Sequence, residues 1–287
     1  MTIGVPFDPR AGEAAVDDAS LELRKLGLVD RLAMSHDLKD WGELVVPDPG
    51  LADGNSLLVM TARLRDAVSF ACAEDYVPIV YATDRAVLLG GLAGARDVFG
   101  HVGLLFVGEQ QGAGDVDGSS DGHAAGAELE LALGVASETA PQPLRELLPL
   151  VRPKRLAILG PSRGGELSER GFAVAAAAAA AVAAGAPSAA DSATARPAER
   201  RVYSRDFGRW WLHLDLGVLV SGGTSVSGVL AGGELSWTEL AGLAGSALKV
   251  RGCCGLSLVV CDPQLDSERT TARATVEFVD RLATQLR

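Results

Sequence analysis

The chain is short of several things at once. Only 5% of its 287 residues are aromatic, and it holds four histidines, four cysteines and three methionines. Basic residues number 26 against 37 acidic ones, a formal net charge of −11. That scarcity of Lys and Arg argues against nucleic-acid binding, which needs a basic surface to neutralise phosphates, and against docking on an anionic membrane. Cys72, Cys253, Cys254 and Cys261 lack zinc-ligand spacing, so free core thiols are expected. The first residues, "MTIGVPFDPRAGEAAVDD", have neither the basic start nor the apolar centre of a secretory signal. With the thiols, this points to a reducing, cytoplasmic setting. No apolar run reaches the roughly 20 residues a membrane crossing takes. The one low-complexity stretch, 172 to 200, begins as an alanine helix, and its Ala/Pro/Ser-rich part, 185 to 200, reads as a flexible loop. Neither G-x-G-x-x-G after the first strand nor G-x-x-x-x-G-K-[ST] occurs, so nucleotide folds have no motif support.

What is present is a core and a rhythm. Hydrophobic residues make up 48% of the chain, and short apolar runs alternate with helical periodicity. "TIGVPF", "HDLKDWG", "VPIVYAT", "VGLLFVG", "KRLAILG", "WWLHLDLG" and "LSLVVC" read as strands. Helices are expected over "GEAAVDDASLELRKLGL", 56 to 74 (face Leu57, Thr61, Leu64, Val68, Ala71), 86 to 99, 124 to 134, the alanine stretch and "SWTELAGLAGSALKV". The chain closes with a helix whose face is Ala272, Val276, Val279, Ala283 and Leu286, capped by Asp266. Buried strands alternating with helices imply an α/β protein: a three-layer α/β/α arrangement around a mainly parallel sheet, single-domain over 1 to 287.

The stretch "LLFVGEQQG", 104 to 112, poses the functional question. An apolar run ending abruptly in polar residues marks the C-terminal end of a buried parallel strand, where open α/β sheets bind ligands. Yet Gly108, Glu109, Gln110, Gln111 and Gly112 offer little reactivity.

The order of segments resembles the ureohydrolase family of arginase, agmatinase and formimidoylglutamase. "IGVPFD" is similar to that family's opening strand, and "ASLELRKLGLVDRLAMSHDLKDWGEL" to its "A-x-x-x-R-x-x-G-L" helix and the strand after it. "VPIVYATDRAVLLGGLAGA" resembles the "G-G-D-H-S" segment, "VGLLFVGEQQG" the "F-D-A-H-x-D" strand and "AGAELELALG" the "H-G" helix. "WWLHLDLGVLV" resembles the "D-x-D" strand, "GGELSW" the "G-G-L-S" segment, and "VVCDPQLD" the "v-E-x-n-P-x-l-D" segment. The likeness covers most of the chain in order and spacing.

The resemblance implies an arginase-like fold and two manganese ions at the strand ends, activating a water that attacks a guanidinium carbon. It also implies where the metal ligands should be. The histidine of "G-G-D-H-S" falls on Arg85. The three ligands of "D-A-H-x-D" fall on Gly108, Gln110 and Gly112, and the two of "D-x-D" on Asp215 and Gly217. Of these six, Asp215 alone is a metal-binding residue type matching the motif. The proton-transfer histidine falls on Ala125 and the guanidinium-binding glutamate on Val260. No catalytic residue and no cofactor are therefore expected.

Asp84, Glu109, His123 and His213 remain as a vestigial pocket. His213 shares a strand face with Asp215, and reads either as a core histidine with a backbone partner or as a ligand of a relocated metal. Asp84 reads as a cap of the next helix. Arg85 is expected to pair with Asp215, because a buried carboxylate without a counter-charge costs several kcal/mol; the competing reading points it to solvent. Of the adjacent Trp210 and Trp211, one is expected in the core and the other at an interface.

The resulting expectation is a catalytically degenerate ureohydrolase-fold protein, a non-catalytic subunit or scaffold. It would be a homo-oligomer, or a hetero-oligomer with an active paralogue. The alternatives are a hydrolase of C–N bonds in linear amidines with a relocated metal site, and a small-molecule sensor using the old pocket.

Overall fold

The structure, a computed structural model, describes residues 1–7, 19–45, 55–108, 127–135, 138, 140–159, 208–221, 224–225, 235–260, 266 and 268–286. The expectations for Glu109, Gln110, Gly112, His123, Ala125, the alanine helix and the loop at 185–200 lie outside the described residues.

Seven parallel strands form the central sheet: β1 (Thr2–Val5), β2 (Asp40–Glu43), β3 (Ile79–Ala82), β4 (Val102–Val107), β5 (Leu156–Leu159), β6 (Arg209–Asp215) and β9 (Cys253–Val259). Their order is β2-β1-β3-β9-β6-β4-β5, while β7 (Val220–Ser221) and β8 (Thr224–Ser225) pair separately and antiparallel. The last strand in sequence, β9, is inserted between β3 and β6. It brings the β3, β6 and β4 ends into one neighbourhood.

Two helical layers cover the sheet. One face packs on α1 (Ala19–Lys25), α2 (Leu28–Ser35), α7 (Trp237–Leu248) and α8 (Thr270–Ala283). The other packs on α3 (Asn55–Ala73), α4 (Val87–Phe99), α5 (Ala127–Leu133) and α6 (Gln142–Arg145). The strands feed both layers because successive side chains point to opposite faces. Thus Leu105, Val107, Leu212 and Leu214 enter the first core, and Leu104, Phe106 and Trp211 the second.

The expected elements recur with local differences. Of the first expected helix, 12 to 28, α1 fills Ala19–Lys25; Gly27, whose φ of 84° is a left-handed conformation that glycine adopts without a Cβ clash, then separates it from α2, a further helix not expected there. β9 begins at Cys253, earlier than its apolar run, since Cys253 and Cys254 already belong to the ladder. Helix α7 opens with a capping box between Ser236 and Glu239. Asp266 accepts from the Thr271 and Ala272 N–H groups at the start of α8. Among the described residues Cys72, Cys253 and Cys254 are free thiols. No described helix is long and apolar enough to cross a membrane.

Trp210 and Trp211 correct one expectation. Both are fully buried, one in each core, so neither faces an interface. Glycines make room for Trp211. A Cβ on Gly91 would lie 2.7 Å from its ring, and one on Gly255 would overlap it. Helices α3 and α4 likewise meet at glycine: a Cβ on Gly90 would sit 2.8 Å from Leu64 Cβ, and one on Gly94 2.5 Å from the Arg65 carbonyl.

Candidate functional site

Four elements converge at the C-terminal ends of the central strands. β6 ends in Asp215, with His213 two residues back on the same face. Gly108 follows β4, Arg85 lies in the turn between β3 and α4, and Ser257 stands on β9 opposite His213 in register. Strand alternation turns His213 and Ser257 toward the α3/α4 layer. There Phe106, the register partner of His213 on β4, stacks on the imidazole with ring centroids 4.9 Å apart.

Asp215 is 4% exposed and carries two positive-side contacts. Its Oδ1 accepts from the Gly217 N–H at 2.8 Å, closing the turn after β6. Its Oδ2 lies 2.5 Å from Arg85 Nη2. That contact is an ion pair rather than an aligned hydrogen bond, for Oδ2 has no partner of hydrogen-bond geometry. Arg85 therefore points inward, as charge balance requires. Asp84, beside it, accepts from the Ala86 N–H at 2.8 Å and braces the turn into α4.

His213 is wholly buried. Its expected backbone partner is instead a side chain, with Nδ1 2.7 Å from Ser257 Oγ. Ser257 Oγ also accepts from the Trp211 indole N–H at 2.9 Å. The hydroxyl oxygen has a second lone pair, so His213 Nδ1 either accepts the Ser257 proton or donates its own to Oγ, according to the tautomer. Burial, and then the Arg85 charge, push the imidazole down to about 3, so it is neutral around pH 7. Among the described residues its Nε2 has no hydrogen-bond partner, and neither has Arg85 Nη1. A buried donor left unsatisfied costs about 1–3 kcal/mol. Arg85 Nη1 and His213 Nε2 are thus two unsatisfied buried polar atoms on side chains at the strand ends.

The described aligned positions Gly108, Gly217 and Val260 carry no ligand side chain. A Cβ on Gly108 would run into the Phe106 ring, so a carboxylate there would have to displace the ring that stacks on His213. A Cβ on Gly217 would sit 3.0 Å from Asp215 Oδ1. Val260 is packed in the core on the α1/α2 side. Among the described residues no group of three or more His, Cys, Asp or Glu side chains is arranged to hold a metal ion. Among the described residues, the aligned ligand positions do not fit a dimanganese centre, because Asp215 is the one carboxylate at them and it is already paired with a guanidinium.

No family model matches the chain. Arginase from Bacillus subtilis (strain 168) is 25% identical over 165 residues, 55% of this chain and 55% of that protein. Arginase from Eremothecium gossypii is 24% identical over 168 residues, 54% of this chain and 42% of that protein. In sequence the chain thus spans about half the length of the curated relatives it matches. In structure it superposes on the crystal structure of Bacillus subtilis arginase with a TM-score of 0.68, at 20% identity over 98% of this chain and 97% of that one. The neighbours of this chain are ureohydrolases. Formimidoylglutamase from Bacillus subtilis gives a TM-score of 0.62 at 15% identity over 99% of this chain and 86% of that one. The fold is the arginase-like α/β fold. Within this ureohydrolase fold, Ser257 and Phe106 were missed by sequence reasoning. An isolated serine inside an apolar strand, "GLSLVV", was the available signal, since a buried hydroxyl needs a partner.

Proposed function

We infer that this chain is a ureohydrolase-fold protein without a working dimanganese centre, and that it serves as a non-catalytic subunit or scaffold. The observation that carries this reading is the ion pair between Arg85 and Asp215. Manganese requires several hard oxygen or nitrogen ligands around each ion. By the family resemblance, Asp215 is the one matching donor left, and its charge is compensated by a guanidinium that cannot be deprotonated. A cation entering this place would have to expel Arg85 and then find no second carboxylate at Gly108 or Gly217. The role in assembly draws on the family likeness alone, since the buried Trp210 and Trp211 no longer speak for an interface.

Two measurements test it. The purified protein, supplied with manganese, should show no arginase, agmatinase or formimidoylglutamase activity above a buffer blank. Manganese-dependent turnover that disappears in Asp215→Ala would overturn the reading. Light scattering at micromolar concentration should give an oligomer, or the chain should co-purify with a paralogue whose "D-A-H-x-D" is intact. A clean monomer without such a partner would remove the subunit role. A second reading, a ligand sensor, is favoured by the buried polar atoms of Arg85 and His213 that have no partner among the described residues.

A further inference from the structure

We propose that a cavity at the other end of the sheet from Asp215 binds a small molecule that carries one negative charge on an apolar body. The cavity spans about 690 Å³, within the range of small-molecule sites. It lies where the chain leaves α7 and α8 and where β9 begins, beside the start of β6. Its apolar wall is the rim of the first core: Leu248 belongs to that core, and Val250 and Leu286 are partly buried against it. Its charged lining residues are Lys249 and Arg251, both exposed, and among the described residues no acidic side chain lines it. A wholly positive cavity runs against the average of a chain whose net charge is −11. Neither cation forms an ion pair with another described residue. The turn that carries Arg251 is fixed in advance. Trp210, wholly buried, donates its backbone N–H to the Gly252 carbonyl at 3.0 Å and its indole N–H to the Arg251 carbonyl at 3.3 Å. Gly252 has a φ of 107°, and a Cβ there would lie 2.4 Å from the Gly208 carbonyl oxygen, so this turn requires glycine.

Charge sets the class of ligand. Helices α7 and α8 both end at this cavity, and each helix C-terminus is equivalent to roughly half a negative charge. Two full positive charges against two such halves leave about one, which a single carboxylate balances. Part of the basic charge thus answers the helix ends, and the remainder is what a ligand meets. The apolar wall adds affinity for each methylene it covers, so a carboxylate on a hydrocarbon body fits better than a bare anion. The site is separate from the strand ends that hold Asp215, and the inference goes beyond the subunit and sensor readings.

The test is calorimetric titration of the full chain with four probes: hexanoate, its neutral isostere hexanamide, acetate and hexyl phosphate. Hexanoate should bind saturably, with a dissociation constant on the order of millimolar or below for so small a molecule. Hexanamide, which lacks the charge, and acetate, which lacks four methylenes, should each bind at least about tenfold more weakly. Hexyl phosphate, largely a dianion at neutral pH, should bind no more tightly than hexanoate. Lys249→Gln combined with Arg251→Gln should lose at least about tenfold for hexanoate and leave hexanamide unchanged. Should that variant not fold, raising the salt on the wild-type protein gives the same reading, because screening weakens hexanoate and spares hexanamide. No saturable hexanoate binding overturns the proposal, as does a double variant that binds like wild type. Hexanamide equal to hexanoate removes the role of charge, acetate equal to hexanoate removes the apolar wall, and a tighter hexyl phosphate overturns the single-charge assignment. Failure here leaves the proposed function untouched, because that is read in turnover and light scattering.

Discussion

Two arginines anchor two polar clusters in this sheet, and they are finished differently. At the β2 edge, Arg24 uses its whole guanidinium. Nε donates to Glu43 at 2.7 Å, Nη1 to Asp40 at 2.7 Å, and Nη2 to Asp40 at 3.0 Å and the Tyr81 hydroxyl at 2.8 Å. Glu43 also accepts from Ser20, and Asp40 from Thr2 and the Gly42 N–H. At the sheet centre, Arg85 meets one carboxylate, and among the described residues neither its Nη1 nor the Nε2 of His213 has a hydrogen-bond partner. The first cluster is a closed structural joint tying α1 to β1, β2 and β3. The second is a joint with spare valence, more deeply buried. Closed networks rigidify a fold, while a half-satisfied one is costly to keep, so the central cluster is the one whose cost calls for a functional reason.

The largest expected effect lies at that central cluster. Arg85→Ala strands a carboxylate that is 4% exposed, and should destabilise the protein by about 3–5 kcal/mol in urea denaturation. Adding Asp215→Asn should recover part of the loss, since the stranded charge goes with it. An unchanged denaturation midpoint in Arg85→Ala would mean that the pair contributes nothing and would erase the contrast with Arg24. Arg24→Ala comes next. It removes more bonds, but its guanidinium and Asp40 are each about three-tenths exposed, so water replaces much of what is lost. A cost of about 1–3 kcal/mol is expected, smaller than that of Arg85→Ala despite the larger network. The reverse order would show that bond count outweighs burial here.

The smallest effect is a pH dependence at the edge cluster. Burial by itself would raise the Asp40 carboxyl, but the bonds from Arg24, Thr2 and Gly42 hold it below its ordinary value of 3.8. The folded state then binds the proton more weakly than the unfolded one. Its contribution is full above the ordinary carboxylate value and fades as pH falls through the depressed folded value. Asp40→Asn should accordingly lag wild type at neutral pH by about 1 kcal/mol or less, and the gap should narrow on acidification. A gap that widens in acid would contradict the direction of the shift.

The elements themselves were legible in the chain, and so was the identity of the residue facing Asp215. Apolar runs of strand length and 3.6-residue periodicity are local signals, so β1, β3, β4, α3, α4 and α7 lie close to where the pattern puts them. The residue types at the aligned ligand positions were readable because they depend on the chain alone. What stayed hidden was long-range. "WW" says that two large rings alternate across a strand. It does not say that both sides are closed, which depends on helices packing over each face and on Gly91 and Gly255 clearing a slot for one ring. Gly27 could split a helix only where the chain turned. Ser257 and His213 are 44 residues apart, and they meet because β9 inserts beside β6 in a register that sets them opposite each other.

The sequence by itself determined which residue types stand at each strand end, and hence that Asp215, a carboxylate at the end of an apolar strand, would need a cation. Only the tertiary structure decided that Arg85 turns inward to Asp215 rather than to solvent, and that His213 meets Ser257 across β6 and β9. Residue type and spacing travel with the chain, whereas hydrogen-bond satisfaction belongs to pairs of atoms that sheet order and register bring together.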